Sequence, residues 1–141
     1  MTGADPFAID TSVAIPLLVR SHEAHEVVVS WADGRVLGLS GHAFAETYSV
    51  LTRLPGDARL SRDDAVALID DNFPETVQLS PDKAGLAHRE LQRSGIAGGA
   101  AYDGLVALAA REHGLVLATR DARARPTYEA MRVEVDVIAA S

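Results

Sequence analysis

The 141-residue chain is 48% hydrophobic, which suits a single globular domain over residues 1–141 with a sizeable buried core. Cysteine is absent, so disulfides, thiolate metal sites and cysteine catalysis are excluded. The formal net charge of −7 argues against nonspecific binding of nucleic acid through basic residues alone, although metal ions can neutralise an acidic site.

The first ten residues, "MTGADPFAID", have neither the basic stretch nor the long apolar segment of a signal peptide. No later window approaches the roughly 18 apolar residues of a membrane span. We therefore expect a soluble, cytoplasmic protein with no membrane partner.

Short apolar runs alternate with helical patterns along the whole chain. This alternation is typical of an α/β domain with a mostly parallel sheet. The predicted strands are Phe7 to Ile9, Arg35 to Leu39, Thr76 to Leu79, Leu115 to Ala118 and Val133 to Ile138.

The helices between these strands have their own sequence signals. An apolar stripe marks a helix from His42 to Leu54, and a second helix runs from about Ala101 to His113, where Gly114 ends it. Ser61 and Ser80 are predicted N-caps, because each precedes acidic residues or a proline suited to the first turn.

Four carboxylates are predicted to reach one edge of the sheet, where ligands of open α/β sheets bind. Asp10 follows the first strand and Asp121 follows the fourth. Glu46 lies in the helix after the second strand, and Asp103 lies in the first turn of the helix that leads into the fourth. Each acid alone has a structural interpretation as a helix cap, a dipole partner, a turn residue or a solvated side chain. Their combination favours a functional site.

Several ionised carboxylates in one pocket need a positive partner. Two such charges roughly 4 Å apart repel by about 4 kcal/mol at an effective dielectric near 20. Because no histidine pattern accompanies the acids, Mg²⁺ or Mn²⁺ suits them better than Zn²⁺. Such a site can hydrolyse phosphodiesters. Thr119 and Ser12 are hydroxyls that could orient a ligand or water, although Ser12 is equally a candidate helix N-cap.

Four segments resemble, in order and spacing, the acidic motifs of PIN-domain nucleases, and the short chain with "LTRLPGDARLS" is similar to VapC toxins of type II toxin-antitoxin pairs. The resemblance implies a three-layer α/β fold with a mostly parallel sheet in the order 3-2-1-4-5, flanked by helices. It further implies an endoribonuclease that uses Mg²⁺ or Mn²⁺, a homodimer, and inhibition by a VapB antitoxin. The four segments are "IDTSV", "AET", "AYDGLVALAAREHG" and "LATRD", with implied catalytic and metal-binding residues Asp10, Glu46, Asp103 and Asp121.

Arginines near these acids could contact RNA or an antitoxin. Arg120, Arg123 and Arg125 surround Asp121, and Arg53 lies two helical turns after Glu46. The alternative is a solvated surface with ordinary ion pairs. The expected substrate is a single-stranded or loop segment of RNA, as found in tRNA or rRNA.

Three other motifs are interpreted as structural. "HEAHE" at residues 22–26 lacks the zinc-protease spacing, and "GLSGH" at 38–42 lacks the last glycine of a nucleophile elbow, which makes Ser40 a predicted N-cap. "GIAGGAA" at 95–101 matches no phosphate-binding motif and is expected to be a flexible connection. Two alternative functions remain open: a phospho-accepting receiver-type signalling domain, and a noncatalytic binding module with a PIN fold.

Overall fold

Five strands alternate with eight α-helices in the computed structural model, which describes residues 6–138. Residues 1–5 and 139–141 lie outside the described part. The prediction that no signal peptide is present and the predicted domain limits at residues 1 and 141 concern these residues. The strands are β1 (Pro6–Ile9), β2 (Val36–Ser40), β3 (Thr76–Val77), β4 (Val116–Thr119) and β5 (Val135–Val137). The helices are α1 (Thr11–Leu18), α2 (His25–Ala32), α3 (Ala43–Thr52), α4 (Arg62–Asn72), α5 (Pro81–Gly85), α6 (Ala87–Arg93), α7 (Ala100–Glu112) and α8 (Arg125–Ala130), with a 3₁₀ turn at Gly56–Ala58.

The strands form one parallel sheet in the order β3-β2-β1-β4-β5, which confirms the predicted order. The central strand β1 pairs with β2 and β4, so that Ala8 lies between Gly38 and Leu117. Because all strands are parallel, their carboxyl ends share one edge of the sheet. A receiver-type domain would have the order 2-1-3-4-5, so this alternative is wrong.

Helices cover the sheet and explain why its strands are continuous apolar runs. Helix α1 packs on α2 and α3, and α3 packs on α4, while α7 packs on α6 and α8. Ile9, Leu39 and Leu117 of the three central strands are fully buried. Among the described residues, no helix combines the length and apolar character that crossing a bilayer requires.

Two predicted strands are too long, and one predicted cap is wrong. Strand β3 ends at Val77, before the Ser80 cap and Pro81 begin α5, and β5 is limited to Val135–Val137. Ser40 ends β2, and its Oγ donates to the Val106 carbonyl of α7 at 2.9 Å instead of capping a helix. Ser61 and Ser80 are confirmed as N-caps, because they accept the amides of Asp64 and Lys83.

Candidate active site

Asp10 lies at the carboxyl end of β1 and is only 5% exposed. It occupies the N-cap position of α1, but its side chain makes no capping hydrogen bond. Its carboxylate instead accepts three hydroxyl donors, each at 2.6 Å: Ser12 on Oδ1, and Thr119 and Tyr128 on Oδ2. Asp10 therefore stands at the predicted cap position, while its side chain is held by hydroxyls of β4, α8 and α1.

Two opposing effects act on the Asp10 carboxyl. Burial raises its pKa above the ordinary value, because a charge in a low-dielectric interior loses its hydration. The hydroxyls of Ser12, Thr119 and Tyr128 lower the pKa, because they donate to the ionised form. This network partly offsets the cost of holding a buried carboxylate at the sheet edge.

Asp103 lies half-buried in the first turn of α7 and experiences the charges of the other predicted acids. Burial raises the pKa of Asp103, and the carboxylates of Glu46, Asp10 and Asp121 raise it further, while His42 lowers it. Each of the other three acids therefore lies close enough to Asp103 to act on its charge.

Ser12 and Thr119 join the ends of β1 and β4 around Asp10. Their hydroxyl oxygens are 3.2 Å apart, and the Ser12 Oγ also accepts the Arg120 amide at 2.7 Å. Because α1 begins at Thr11, Ser12 lies inside the helix, and its predicted alternative role as an N-cap is wrong.

Glu46 and Asp121 approach the site from α3 and from the turn after β4. Glu46 is exposed, and beside it the Thr47 hydroxyl lies 3.1 Å from that of Thr11, which links α3 to α1. The extended chain ends at Thr119, whose Oγ1 accepts the Asp121 amide at 3.0 Å. Strand β4 ends before Asp121, so Asp121 reaches the site from the turn that follows the strand.

The candidate arginines have different surroundings. The side chain of Arg123 is 94% exposed, and its Nε lies 3.5 Å from Asp121, whereas Arg125 pairs with Glu129 at 3.1 Å. Arg120 has a buried Nε without a hydrogen-bond partner within the described residues. The Nε of Arg53 donates to Ser49 at 3.3 Å, and no acid pairs with Arg53 in residues 6–138.

The chain matches a known family over most of its length: the family model described as "PIN domain" covers residues 7–129. The chain belongs to the PIN-domain family. It is 56% identical over 134 residues to "Ribonuclease VapC27" of Mycobacterium tuberculosis, an alignment covering 95% of this chain and 98% of the relative. It is 41% identical to "Ribonuclease VapC40" of the same species, over 93% of this chain and 98% of that protein. These relatives confirm the predicted resemblance to VapC-type PIN domains.

Two solved structures share the fold of this PIN domain. FitAcB from Neisseria gonorrhoeae aligns with a TM-score of 0.66 and 22% identity, over 92% of this chain and 95% of that one. VapBC2 from Rickettsia felis, bound to a DNA fragment from their promoter, aligns with a TM-score of 0.63 and 12% identity, over 94% and 98%. At such low identity, these similarities concern the fold alone.

The acidic group of the PIN domain has the donor chemistry that a hard divalent cation prefers. All its donors are carboxylate oxygens, and within the described range no ion pair joins Asp10, Glu46 or Asp103 to Lys or Arg. The side chains do not form a closed coordination shell, since no three Asp, Glu or His residues in 6–138 are arranged to hold an ion. The chemistry thus fits Mg²⁺ or Mn²⁺, while binding would require the carboxylates to converge.

Tyr128 is the site residue that sequence reasoning missed. It is 1% exposed and lies in α8, 118 residues after its partner Asp10. Ala124, Tyr128 and Met131 are all buried and have helical spacing, so an apolar stripe could have marked Tyr128 as inward-facing. No sequence pattern identifies Asp10 as the acceptor of its hydroxyl.

Proposed function

We propose that this PIN domain is a VapC-type endoribonuclease that uses Mg²⁺ or Mn²⁺ to hydrolyse phosphodiester bonds in RNA. The observation that carries the proposal is the buried Asp10 carboxylate at the carboxyl end of β1, held by three hydroxyls. Asp103 lies near enough for Glu46, Asp10 and Asp121 to raise its pKa, which supports a shared acidic site. Such a concentration of negative charge needs a cation, and a relative 56% identical over 95% of the chain is named a ribonuclease.

Asp10, Glu46, Asp103 and Asp121 are the residues that would hold the cation. A bound ion supplies a lowered pKa for the attacking water, a position for the scissile phosphate and stabilisation of the leaving oxygen. The protein contributes geometry. Its three hydroxyl donors fix the orientation of Asp10, while the other acids are less buried and can adjust.

The expected substrate is a single-stranded or loop segment of RNA, of the kind found in tRNA and rRNA, because its bases can be splayed away from their stack. Arg120 and Arg123 flank Asp121 and would contact phosphates beside the cleaved bond, with Arg125 and Arg53 as outer contacts. The 94% exposure of the Arg123 side chain supports this role, since its charge is accessible.

The proposal includes an inhibitory VapB-type antitoxin, a homodimer and a cytoplasmic location. The shared fold with VapBC2 of Rickettsia felis supports a partner of this type. Where a small open reading frame lies immediately upstream of the gene for this chain, co-expression with its product tests the partner. Copurification with loss of ribonuclease activity is expected, and full activity in the presence of that protein would contradict inhibition.

The decisive experiment is cleavage of RNA by the purified protein with Mg²⁺ or Mn²⁺ and with EDTA. The test variants are Asp10→Asn and Asp103→Asn, and the matched control is Asp71→Asn, an exposed acid on α4. We expect cleavage only with the metal, wild-type activity for the control and loss of activity for both test variants. Circular dichroism checks that each variant is folded.

Cleavage that persists in EDTA would contradict metal dependence. Full activity of folded Asp103→Asn would contradict the assignment of the acidic site. Absence of cleavage of every RNA tested, including total tRNA and rRNA, would favour the noncatalytic binding module.

A further inference from the structure

Two aromatic rings stack beside the acidic group without belonging to it. Tyr102 immediately precedes Asp103 in α7, and His42 immediately precedes α3, which carries Glu46. Their ring centroids are 5.0 Å apart and their planes meet at 28°, so the rings are stacked. Tyr102 nevertheless remains 57% exposed, which leaves much of its surface open to a ligand.

A groove of about 330 Å³ is lined in part by His42, the ring on which Tyr102 stacks. This volume lies at the lower end of the range of about 300–1,000 Å³ typical of small-molecule sites. Its wall is mostly apolar, formed by Leu79 and Leu105 among others, and Gln78 adds an exposed side-chain amide. An amide both donates and accepts hydrogen bonds, as the edge of a nucleobase requires.

Gly41 shapes the end of the groove next to His42. Its φ of +54° is in the left-handed region, and a Cβ at this position would lie 3.1 Å from the Leu105 carbonyl and the Ala109 Cβ. The glycine allows the chain to turn sharply from β2 against α7. This turn places His42 next to Tyr102, and the imidazole is close enough to lower the pKa of Asp103.

We propose that the Tyr102–His42 pair and the adjoining groove bind one nucleobase of the RNA, next to the phosphate that is cleaved. The base stacks on the exposed Tyr102 ring and presents its edge to the Gln78 amide. This inference rests on the proposed ribonuclease function. Stacking would add to the arginine contacts with phosphates in a chain with a net charge of −7, because it does not depend on charge.

The test begins with a random pool of single-stranded oligoribonucleotides, from which one sequence cleaved by the wild type is chosen. An abasic nucleotide is then placed at each position around the cleaved bond. The variants are Tyr102→Ala, Tyr102→Phe, which keeps the ring, and Val36→Ala. Val36 is a control because it is 48% exposed and lies at the start of β2. The amino-terminal ends of the parallel strands are opposite the ends that carry the acids.

Tyr102→Ala should lower kcat/KM on the intact oligonucleotide by about 5- to 150-fold, the range for one base–aromatic stack. Val36→Ala should cleave like the wild type, and Tyr102→Phe, which keeps the ring, should lose much less activity than Tyr102→Ala. One abasic position should reduce wild-type cleavage by a similar factor and cause no further loss in Tyr102→Ala. That coupling would show that this base contacts Tyr102, because a general folding defect would leave the abasic penalty intact.

The base site would be overturned if Tyr102→Ala had the same kcat/KM as the wild type, or if the abasic nucleotide slowed Tyr102→Ala as much as it slows the wild type. Cleavage by the wild type would still support the proposed ribonuclease function. If the wild type cleaves nothing, the proposed function fails, and binding of a fluorescent single-stranded oligoribonucleotide in EDTA then decides the base site. Weaker binding by Tyr102→Ala than by Val36→Ala supports it, and equal binding overturns it.

Discussion

Tyr128→Phe isolates one hydrogen bond in the network that holds Asp10. The Tyr128 ring is fully buried, and its hydroxyl donates to Asp10 Oδ2 at 2.6 Å. The substitution removes the donor and keeps the ring, so it opens no large cavity. The expected loss is that of a hydrogen bond to a charged group, about 1.5–3 kcal/mol in the free energy of unfolding.

The length of the chain allows this change in the free energy of unfolding to be expressed as a shift in the melting temperature. An unfolding entropy of about 2.1 cal/mol/K per residue gives about 0.3 kcal/mol/K for 141 residues. Tyr128→Phe should therefore lower the melting temperature by about 5–10 °C at neutral pH in EDTA.

The effect of Tyr128→Phe should depend on pH in a defined direction. Burial raises the folded-state pKa of Asp10 above its usual 3.8, so protonation of Asp10 contributes stability at low pH that is lost as the pH rises through this raised pKa. Removing the Tyr128 donor raises the pKa further. The difference between variant and wild type should shrink on acidification, because a hydrogen bond to a neutral carboxyl contributes only about 0.5–1.5 kcal/mol.

Urea and thermal unfolding in EDTA between acidic and neutral pH measure this difference. Tyr48→Phe is the matched control, because Tyr48 is half-buried and its hydroxyl has no hydrogen-bond partner among residues 6–138. Equal stability of Tyr128→Phe and wild type at neutral pH, or a difference that grows on acidification, would refute the role of this hydrogen bond.

Three further predictions concern the charge and the backbone of the site. Asp103→Asn should raise the free energy of unfolding in EDTA at neutral pH. The folded-state pKa of Asp103 is raised, so its ionisation costs stability as the pH rises. A lower free energy of unfolding in urea would contradict this prediction. Mn²⁺ at a hundredfold excess over its Kd should stabilise the wild type by about 2.7 kcal/mol, which raises the melting temperature by about 9 °C. Scanning fluorimetry should show a much smaller rise for Asp103→Asn. Equal rises for the two proteins would argue against a metal site at Asp103. Gly41→Ala should destabilise by at least about 1–2 kcal/mol because of its φ of +54°, and unchanged urea unfolding would show that the turn relaxes without cost.

The sequence predicted the fold where local patterns and packing agree. The apolar runs located β1, β2 and β4 to within a residue, because these strands are covered on both faces and contain few polar residues. The order of the strands came from the resemblance to PIN domains, since apolar runs do not specify their neighbours. Strand β3 was predicted too long because Val77 and Leu79 alternate with polar residues as in a strand, although the sheet pairing ends at Val77.

The site was predictable to the extent that its residues follow the ends of elements. Asp10 was selected as a candidate because ligands of open α/β sheets bind at the carboxyl ends of the strands. The donor from Tyr128 and the stacking of His42 on Tyr102 were not found, since both depend on how α8, α3 and α7 pack. Helical periodicity shows which face of a helix is buried, but the packing of helices decides which side chain it meets.

The four acids differ in how firmly their side chains are held. This difference would allow the proposed metal site to form without a coordination shell that exists in advance. Asp10 is buried and fixed by three hydroxyls, whereas Glu46 is exposed and Asp103 is half-buried. Without a cation, repulsion of about 4 kcal/mol for a pair roughly 4 Å apart opposes their convergence. A cation would reverse this balance, with Asp10 as the fixed ligand to which the others move. In the proposed site, the hydroxyl network around Asp10 would determine where the ion binds, and the less buried carboxylates would determine how tightly.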